Sequence, residues 1–223
     1  MNQKQWSAVD AYIVEKLVAP DFALEAALAS NVAAGLPSID VSPPQGKLLH
    51  LLARMSGAKR ILEIGALGGY STIWLARALP LDGFLVTLEA APKHAAAARE
   101  NIERAGLSGR VRLRVGAALD TLPLIEAEGI GPFDFVFIDA DKPRNPEYFA
   151  WALRLSRPGA VIVCDNVVRE GAITDGASAD PSVQGTRKMF DLIAREPRVS
   201  ATVIQSVGAK GWDGLLVAIV DRA

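Results

Sequence analysis

The stretch that decides the fold is "RILEIGALGGYS", Arg60 to Ser71. Three apolar residues, Ile61, Leu62 and Ile64, run into a glycine cluster, Gly65, Gly68 and Gly69, and the chain then turns helical. A short buried strand that enters a helix through glycines is the opening of an α/β unit with a parallel sheet, since backbone must turn sharply there and let a ligand approach. Working outward, apolar runs alternate with amphipathic segments. Strands are expected at 60–65, 84–89, 111–116, 133–139 and 160–165, with helices at 70–79, 92–105, 118–127 and 146–155 between them. This is the pattern of a sheet covered on both faces.

Upstream, helical periodicity covers 3–18, 22–34 and 44–55, the third opened by Ser42-Pro43-Pro44 as cap and first turn. Downstream, a polar loop at 169–185 precedes a helix near 186–195 and two strands, 199–207 and 214–220, joined by "GAKGWDG". Hairpin spacing there predicts one antiparallel strand at the sheet's edge.

At 223 residues, half of them hydrophobic, the chain fits one α/β domain. Lys and Arg number 24 against 25 Asp and Glu, which excludes an electrostatic case for nucleic acid or an anionic membrane. The single cysteine excludes an internal disulfide and a cysteine-based zinc site. Charges at Asp10, Glu15 and Lys16 interrupt the first helix, so it reads as neither signal peptide nor membrane span, and a reducing cytoplasm is the expected compartment.

Three strand endings carry chemistry. Glu89 closes the second strand, twenty residues beyond Gly69, where a carboxylate can accept both hydroxyls of a ribose. Together with the glycine loop it points to a nucleoside-containing cofactor. The spacing departs from G-x-G-x-x-G, which disfavours a pyrophosphate cradle for a nicotinamide or flavin dinucleotide. Glu63 is unusual inside such a strand and is expected to pair with nearby backbone or a cofactor amine. "FIDADK" ends a strand at Asp139, and "AVIVCDN" ends the next at Asp165 and Asn166. Two carboxylates and an amide at one sheet edge are hard oxygen donors suited to Mg²⁺, Mn²⁺ or Ca²⁺. Lys142, three residues past Asp139, becomes a candidate base if a nearby cation lowers its pKa; the bland alternative is a surface lysine paired with Asp141. Cys164, His50 and His94 read as structural or surface residues, and Trp74 and Trp151 as core.

In order and spacing, "ILEIGALGGYS", "VTLEA", "FIDADK" and "DNVV" resemble the cation-dependent O-methyltransferases that use S-adenosylmethionine, the group of catechol and caffeoyl-coenzyme A O-methyltransferases and their bacterial relatives. The resemblance runs from about Val41 to the C-terminus. It implies a Rossmann-like class I methyltransferase, a mostly parallel seven-stranded sheet with one antiparallel strand in its edge region. It implies that Asp139, Asp165 and Asn166 bind the metal, that Lys142 is the catalytic base and that Glu89 holds the ribose. Gly65, Gly69, Tyr70, Ser71 and Val41 would line the methionine end of the cofactor, with Asp139 beside them, and Ala118 would meet the adenine. The acceptor would be a small aromatic with vicinal oxygens. Residues 1–40 would both cap the site and form a homodimer. Two features depart from the family: Asn145 stands where an aromatic is common, and the loop after "DNVV" has no nearby tryptophan. Rival readings are a metal-independent methyltransferase, a nicotinamide-dependent oxidoreductase and a non-catalytic S-adenosylmethionine-binding module.

Overall fold

The structure, a computed structural model, describes residues 2–221. Three helices come first: α1 (Gln3–Leu17), α2 (Phe22–Ala33) and α3 (Pro43–Met55). Each begins at a side-chain cap that absorbs an orphan backbone N–H: Asn2, Asp21 and Ser42. The α/β portion follows as β1 (Arg60–Ile64), α4 (Tyr70–Ala76), β2 (Phe84–Glu89), α5 (Pro92–Arg104), β3 (Val111–Val115), α6 (Ala118–Ala127), β4 (Phe133–Ile138), α7 (Asn145–Leu155) and β5 (Ser156–Asp165). It closes with α8 (Pro181–Ala194) and the hairpin β6 (Val199–Gly208) and β7 (Gly211–Val220).

One seven-stranded sheet results, in the order β3-β2-β1-β4-β5-β7-β6. Strands β1 to β5 run parallel, and β7 lies antiparallel between β5 and β6. The antiparallel strand is therefore next to the edge, and β6 takes the edge itself. The order reverses direction between β1 and β4, and crevices for ligands open at the carboxyl ends of strands at such a switch point.

Alternation along the strands splits the core in two. Leu62 and Ile64 of β1, with Val136 and Ile138 of β4, face Phe149, Leu122 and Met189. Ile61, Phe135 and Phe137 face the other way, onto Leu49, Ile73 and Trp74. At the opposite end of the sheet Asp134 accepts the N–H groups of Lys59 and Arg60 at 2.8 and 2.7 Å and pairs with Arg157, tying the starts of β1, β4 and β5 together.

Two expectations need correction. The segment 169–185 is not a single loop: two short turns, broken by left-handed Glu170 and Gly171, occupy Arg169–Thr174, and α8 starts five residues earlier than its apolar periodicity suggests. Asp180 caps α8 by accepting the Ser182 N–H at 2.7 Å and Pro181 fills the first turn, the same cap-proline device that opens α3. The turn "GAKGWDG" is also mostly strand, because β6 and β7 stay paired from Val199 opposite Val220 to Gly208 opposite Gly211. Trp74 is buried as expected, whereas Trp151 is half-buried beneath the Arg154 guanidinium.

Phe137 is fully buried two residues before Asp139. Phe137→Ala is expected to lower unfolding free energy by about 3–5 kcal/mol in urea titration, the loss typical of a truncated core phenylalanine.

Candidate active site

The switch point is built on one close approach. The Asp139 N–H donates to the Ile64 carbonyl at 2.8 Å, which brings the carbonyl of Asp139 against Gly65. A Cβ on Gly65 would overlap that carbonyl, and its φ of +102° is one that glycine alone adopts readily. The ends of β1 and β4 can meet only because this residue has no side chain.

A cavity of about 510 Å³ opens over this junction. Of the residues anticipated for the cofactor, Val41, Gly65, Ser71, Glu89, Ala118 and Asp139 line it. Gly69 and Tyr70 do not. Gly69 starts α4 with φ +84° and packs against Ala98, and Tyr70 is buried behind the loop.

Glu89 is held in place by backbone at the cavity wall. Its two carboxylate oxygens accept the Leu67 N–H at 2.8 Å and the Ala91 N–H at 2.9 Å, and His94 Nδ1 lies 3.4 Å away. A carboxylate has about four lone-pair positions, so two backbone bonds orient it and leave capacity for a diol. His94, read from sequence as structural, thus belongs to the cavity wall.

The glycine loop is anchored by a network that no motif announces. Asn101 of α5 donates to the Gly68 carbonyl at 2.9 Å and to the Asn31 amide oxygen at 3.1 Å; Asn31 of α2 in turn donates to Asp40 at 2.9 Å. Asn31 and Asn101 are buried, and a Cβ on Gly68 would strike Asn31. Three separate elements therefore share one hydrogen-bonded junction with the loop. Burial pushes the Asp40 carboxyl above its usual range, against the opposing bond from Asn31. The only advance signal was two asparagines on otherwise apolar helix faces.

Glu63 is wholly buried, but its partners are neither backbone nor cofactor amine. Three hydroxyls donate to it: Ser71 at 2.6 Å, Thr72 at 2.5 Å and Thr87 at 2.6 Å. They join β1 to the first turn of α4 and to β2. Burial raises the Glu63 pKa to about 7, more than the three hydroxyls offset, and the charge on Asp139 adds to the rise.

At the neighbouring strand ends, Lys142, Asp139 and Asp165 come together. The Lys142 Nζ lies 2.7 Å from Asp139, and the lysine is only 8% exposed, which replaces the surface pairing with Asp141. Asp141 instead accepts the Tyr148 hydroxyl. Burial alone would depress the Lys142 ammonium, and the carboxylates of Asp139 and Asp165 outweigh it to hold the ammonium above its ordinary value. Asp165, 4% exposed, accepts from Gln45 at 2.6 Å and from the Asn166 N–H at 2.7 Å. Burial and the charge of Asp139 push its carboxyl well above the usual carboxylate range. Asn166 adopts φ +56° and borders both the large cavity and a second one of about 230 Å³ beneath the hairpin.

These donors suit a hard cation. Among the described residues no three His, Cys, Asp or Glu side chains converge, so a cation bound here would have to rely on two carboxylates and the Asn166 amide. The mutual repulsion of Asp139 and Asp165 is the charge pattern that a divalent ion relieves. Cys164 stays inert beside them, since burial pushes its thiol up to about 12.

The two departures resolve differently. Asn145 is fully buried outside the cavity lining, and Tyr148, one turn further along α7, lines the cavity instead. Trp212 reaches from β7 to pack against Gly171, in the turn after "DNVV", and its indole N–H donates to Gln205 at 3.1 Å.

Strand order, glycine loop and the acid closing β2 together define a class I methyltransferase. Residues 16–218 match the O-methyltransferase family, and the chain belongs to it. It is similar to a catechol O-methyltransferase from Niastella koreensis, 54% identical over 99% of this chain and 100% of the relative. One from Mycobacterium tuberculosis is 53% identical over 95% of this chain and 94% of its own length. Among solved structures, the O-methyltransferase from Bacillus cereus in complex with SAH is 59% identical with a TM-score of 0.98, covering 99% of this chain and 100% of that one. A Streptomyces achromogenes O-methyltransferase involved in tomaymycin synthesis, in complex with SAM, is 52% identical with a TM-score of 0.96 over the whole of both chains. Among the described residues no helix is long and apolar enough to cross a membrane.

Glu63 gives a pH test of this site. Its folded pKa of about 7 lies above the usual carboxyl value, so the folded state holds a proton that the unfolded chain releases. Its contribution to stability is complete below about pH 4.3 and is lost as pH rises through about 7. Glu63→Gln keeps the size but cannot titrate. Urea titrations across this window are expected to show a flatter fall in stability than in the parent; parallel curves would refute the assignment.

Proposed function

We propose that the protein transfers a methyl group from S-adenosylmethionine to a hydroxyl of a small aromatic acceptor with vicinal oxygens, with a divalent cation, Mg²⁺ foremost and Mn²⁺ or Ca²⁺ as alternatives, as its partner in catalysis. The observation that carries the reading is the meeting, at one switch point, of the oriented Glu89 carboxylate with the partly buried Lys142–Asp139 pair and the Asp165–Asn166 ending. The catechol O-methyltransferases that the chain resembles support the acceptor class.

Glu89 takes the ribose hydroxyls. Val41, Gly65, Gly69, Tyr70 and Ser71 shape the methionine end, Gly69 and Tyr70 from behind the loop, while Ala118 meets the adenine. Asp139, Asp165 and Asn166 hold the cation. The chemistry a divalent ion supplies there is to lower a phenolic pKa from about 10 toward neutrality and to fix vicinal oxygens. Lys142 takes the proton of the accepting hydroxyl. Two opposed influences on its ammonium fit it for this role. Were a cation held by Asp139, the pull of that carboxylate on the ammonium would weaken and burial would favour the neutral amine. The acceptor oxygen then attacks the sulfonium methyl, the carbon–sulfur bond breaks and S-adenosylhomocysteine leaves. The remaining contribution is positioning in a partly closed cavity.

Residues 1–40 act as cap and homodimerisation element. Helix α1 has no buried residue, exposes Val9, Tyr12 and Leu17, and touches the hairpin through Gln3 and Asp10, which accounts for an apolar stripe unfilled within one chain. The sequence reading of a cytoplasmic protein accords with a soluble small-molecule enzyme of this kind.

Methyl transfer from labelled S-adenosylmethionine to a panel of vicinal diphenols tests the reading. Product is expected with Mg²⁺ and not in excess EDTA, and Lys142→Ala is expected to lower kcat about 10²- to 10⁴-fold with affinity for S-adenosylhomocysteine kept. Full activity in EDTA would return the site to a metal-independent reading. Tight binding of NADH alone would remove the cofactor assignment, and an unimpaired Lys142→Ala enzyme the base.

A further inference from the structure

The charged groups in the cavity wall are nearly all partnered. Lys142 pairs with Asp139; Glu89 accepts two backbone N–H groups; Asp40 accepts from Asn31; Asp141 accepts from Tyr148. Arg169 is the exception. It lines the cavity three residues beyond Asn166, its Nε is buried without a hydrogen-bond partner, and among the described residues it makes no ion pair within 4.0 Å.

The backbone beneath it is built for the position. Asp213 of β7 accepts the N–H groups of Val168, Arg169 and Gly214 at 2.9, 3.0 and 2.9 Å with a single carboxylate oxygen. That clamp holds Arg169 and Glu170 at φ +55° and +53°, a left-handed pair that costs free energy in residues other than glycine. A costly turn, fixed from another strand, thus carries a cation with no side-chain partner among the described residues into the cavity beside the Asp165–Asn166 ending. Leaving a guanidinium nitrogen buried and unbonded is unfavourable, and a planar carboxylate is the group whose two oxygens match the Nε edge of arginine.

We infer that Arg169 is a specificity residue that anchors a carboxylate carried by the aromatic acceptor, so that the preferred substrates are dihydroxy-aromatic acids rather than neutral catechols. The inference rests on the diphenol reading above and names the acceptor more closely. Because Arg169 acts on a group remote from the reacting oxygen, its loss falls on KM and leaves kcat largely in place.

The experiment compares 2,3- and 3,4-dihydroxybenzoate with their methyl esters, which keep the vicinal hydroxyls and remove the charge. Catechol serves as the neutral reference, and Arg169→Gln and Arg169→Lys are assayed beside the parent. For the better of the two acids, kcat/KM is expected to exceed that of its ester by about 10- to 100-fold, the range of a lost charge-assisted hydrogen bond. Arg169→Gln is expected to abolish that ratio by raising KM for the acid alone, with Arg169→Lys intermediate. Calorimetric titration of acid and ester onto the S-adenosylhomocysteine complex reads the same preference without turnover, and unchanged affinity for S-adenosylhomocysteine shows that each variant is folded. Turnover of all acceptors with an acid-to-ester ratio near one, or a ratio unmoved by Arg169→Gln, overturns the inference and leaves the diphenol reading intact. Failure to methylate catechol, acids and esters alike overturns both.

Discussion

The site depends on the backbone contact between Gly65 and Asp139. Parallel strands β1 and β4 are neighbours at the place where strand order reverses, and their carboxyl ends must both turn outward within one crevice. The Asp139 N–H bonded to the Ile64 carbonyl sets the register, and the missing side chain of Gly65 admits the Asp139 carbonyl. That register also places Asp139 within reach of Lys142 on one side and the end of β5 on the other. Every candidate chemical group is thereby measured from one junction.

Around it, charge is handled by burial and paired dipoles rather than by solvent. Glu63 sits under the loop with three hydroxyls in place of a cation, an arrangement that joins β1, β2 and α4 without adding a positive charge to the cavity floor. Lys142 and Asp139 form a partly buried pair whose balance shifts with whatever else engages the carboxylate. Such pairs contribute little to net stability because desolvation offsets attraction, so their presence is better explained by chemistry than by folding. The Asn31–Asn101–Asp40 junction complements them by holding the loop itself.

The hairpin takes part as well. Asp213 on β7 shapes the turn bearing Arg169, Trp212 closes over Gly171, and α1 grips the hairpin tip through Gln3 and Asp10. Segments far apart in the chain thus define the side of the cavity next to Asn166.

How much could be read from residues alone follows from the range of each interaction. Strand and helix order, the glycine loop, Glu89, and the two acidic strand endings were legible, because alternation, caps and strand-terminal acids are local features of an apolar pattern. The start of α8 was misplaced although Asp180-Pro181 marks it, since the apolar face of that helix begins later than its cap. The partners of Glu63, the asparagine junction and the burial of Lys142 against Asp139 rather than Asp141 were not legible, because each pairs groups whose facing directions depend on neighbouring strands and helices. Arg169 is the clearest case. In the sequence it is one charge in a polar stretch; only a clamp from a residue 44 positions later in the chain turns it toward the cavity. The sequence by itself determined the architecture and the chemical types at the strand ends, and tertiary structure decided which charged groups pair with one another, because pairing of buried charges is set by distance in space and not by order along the chain.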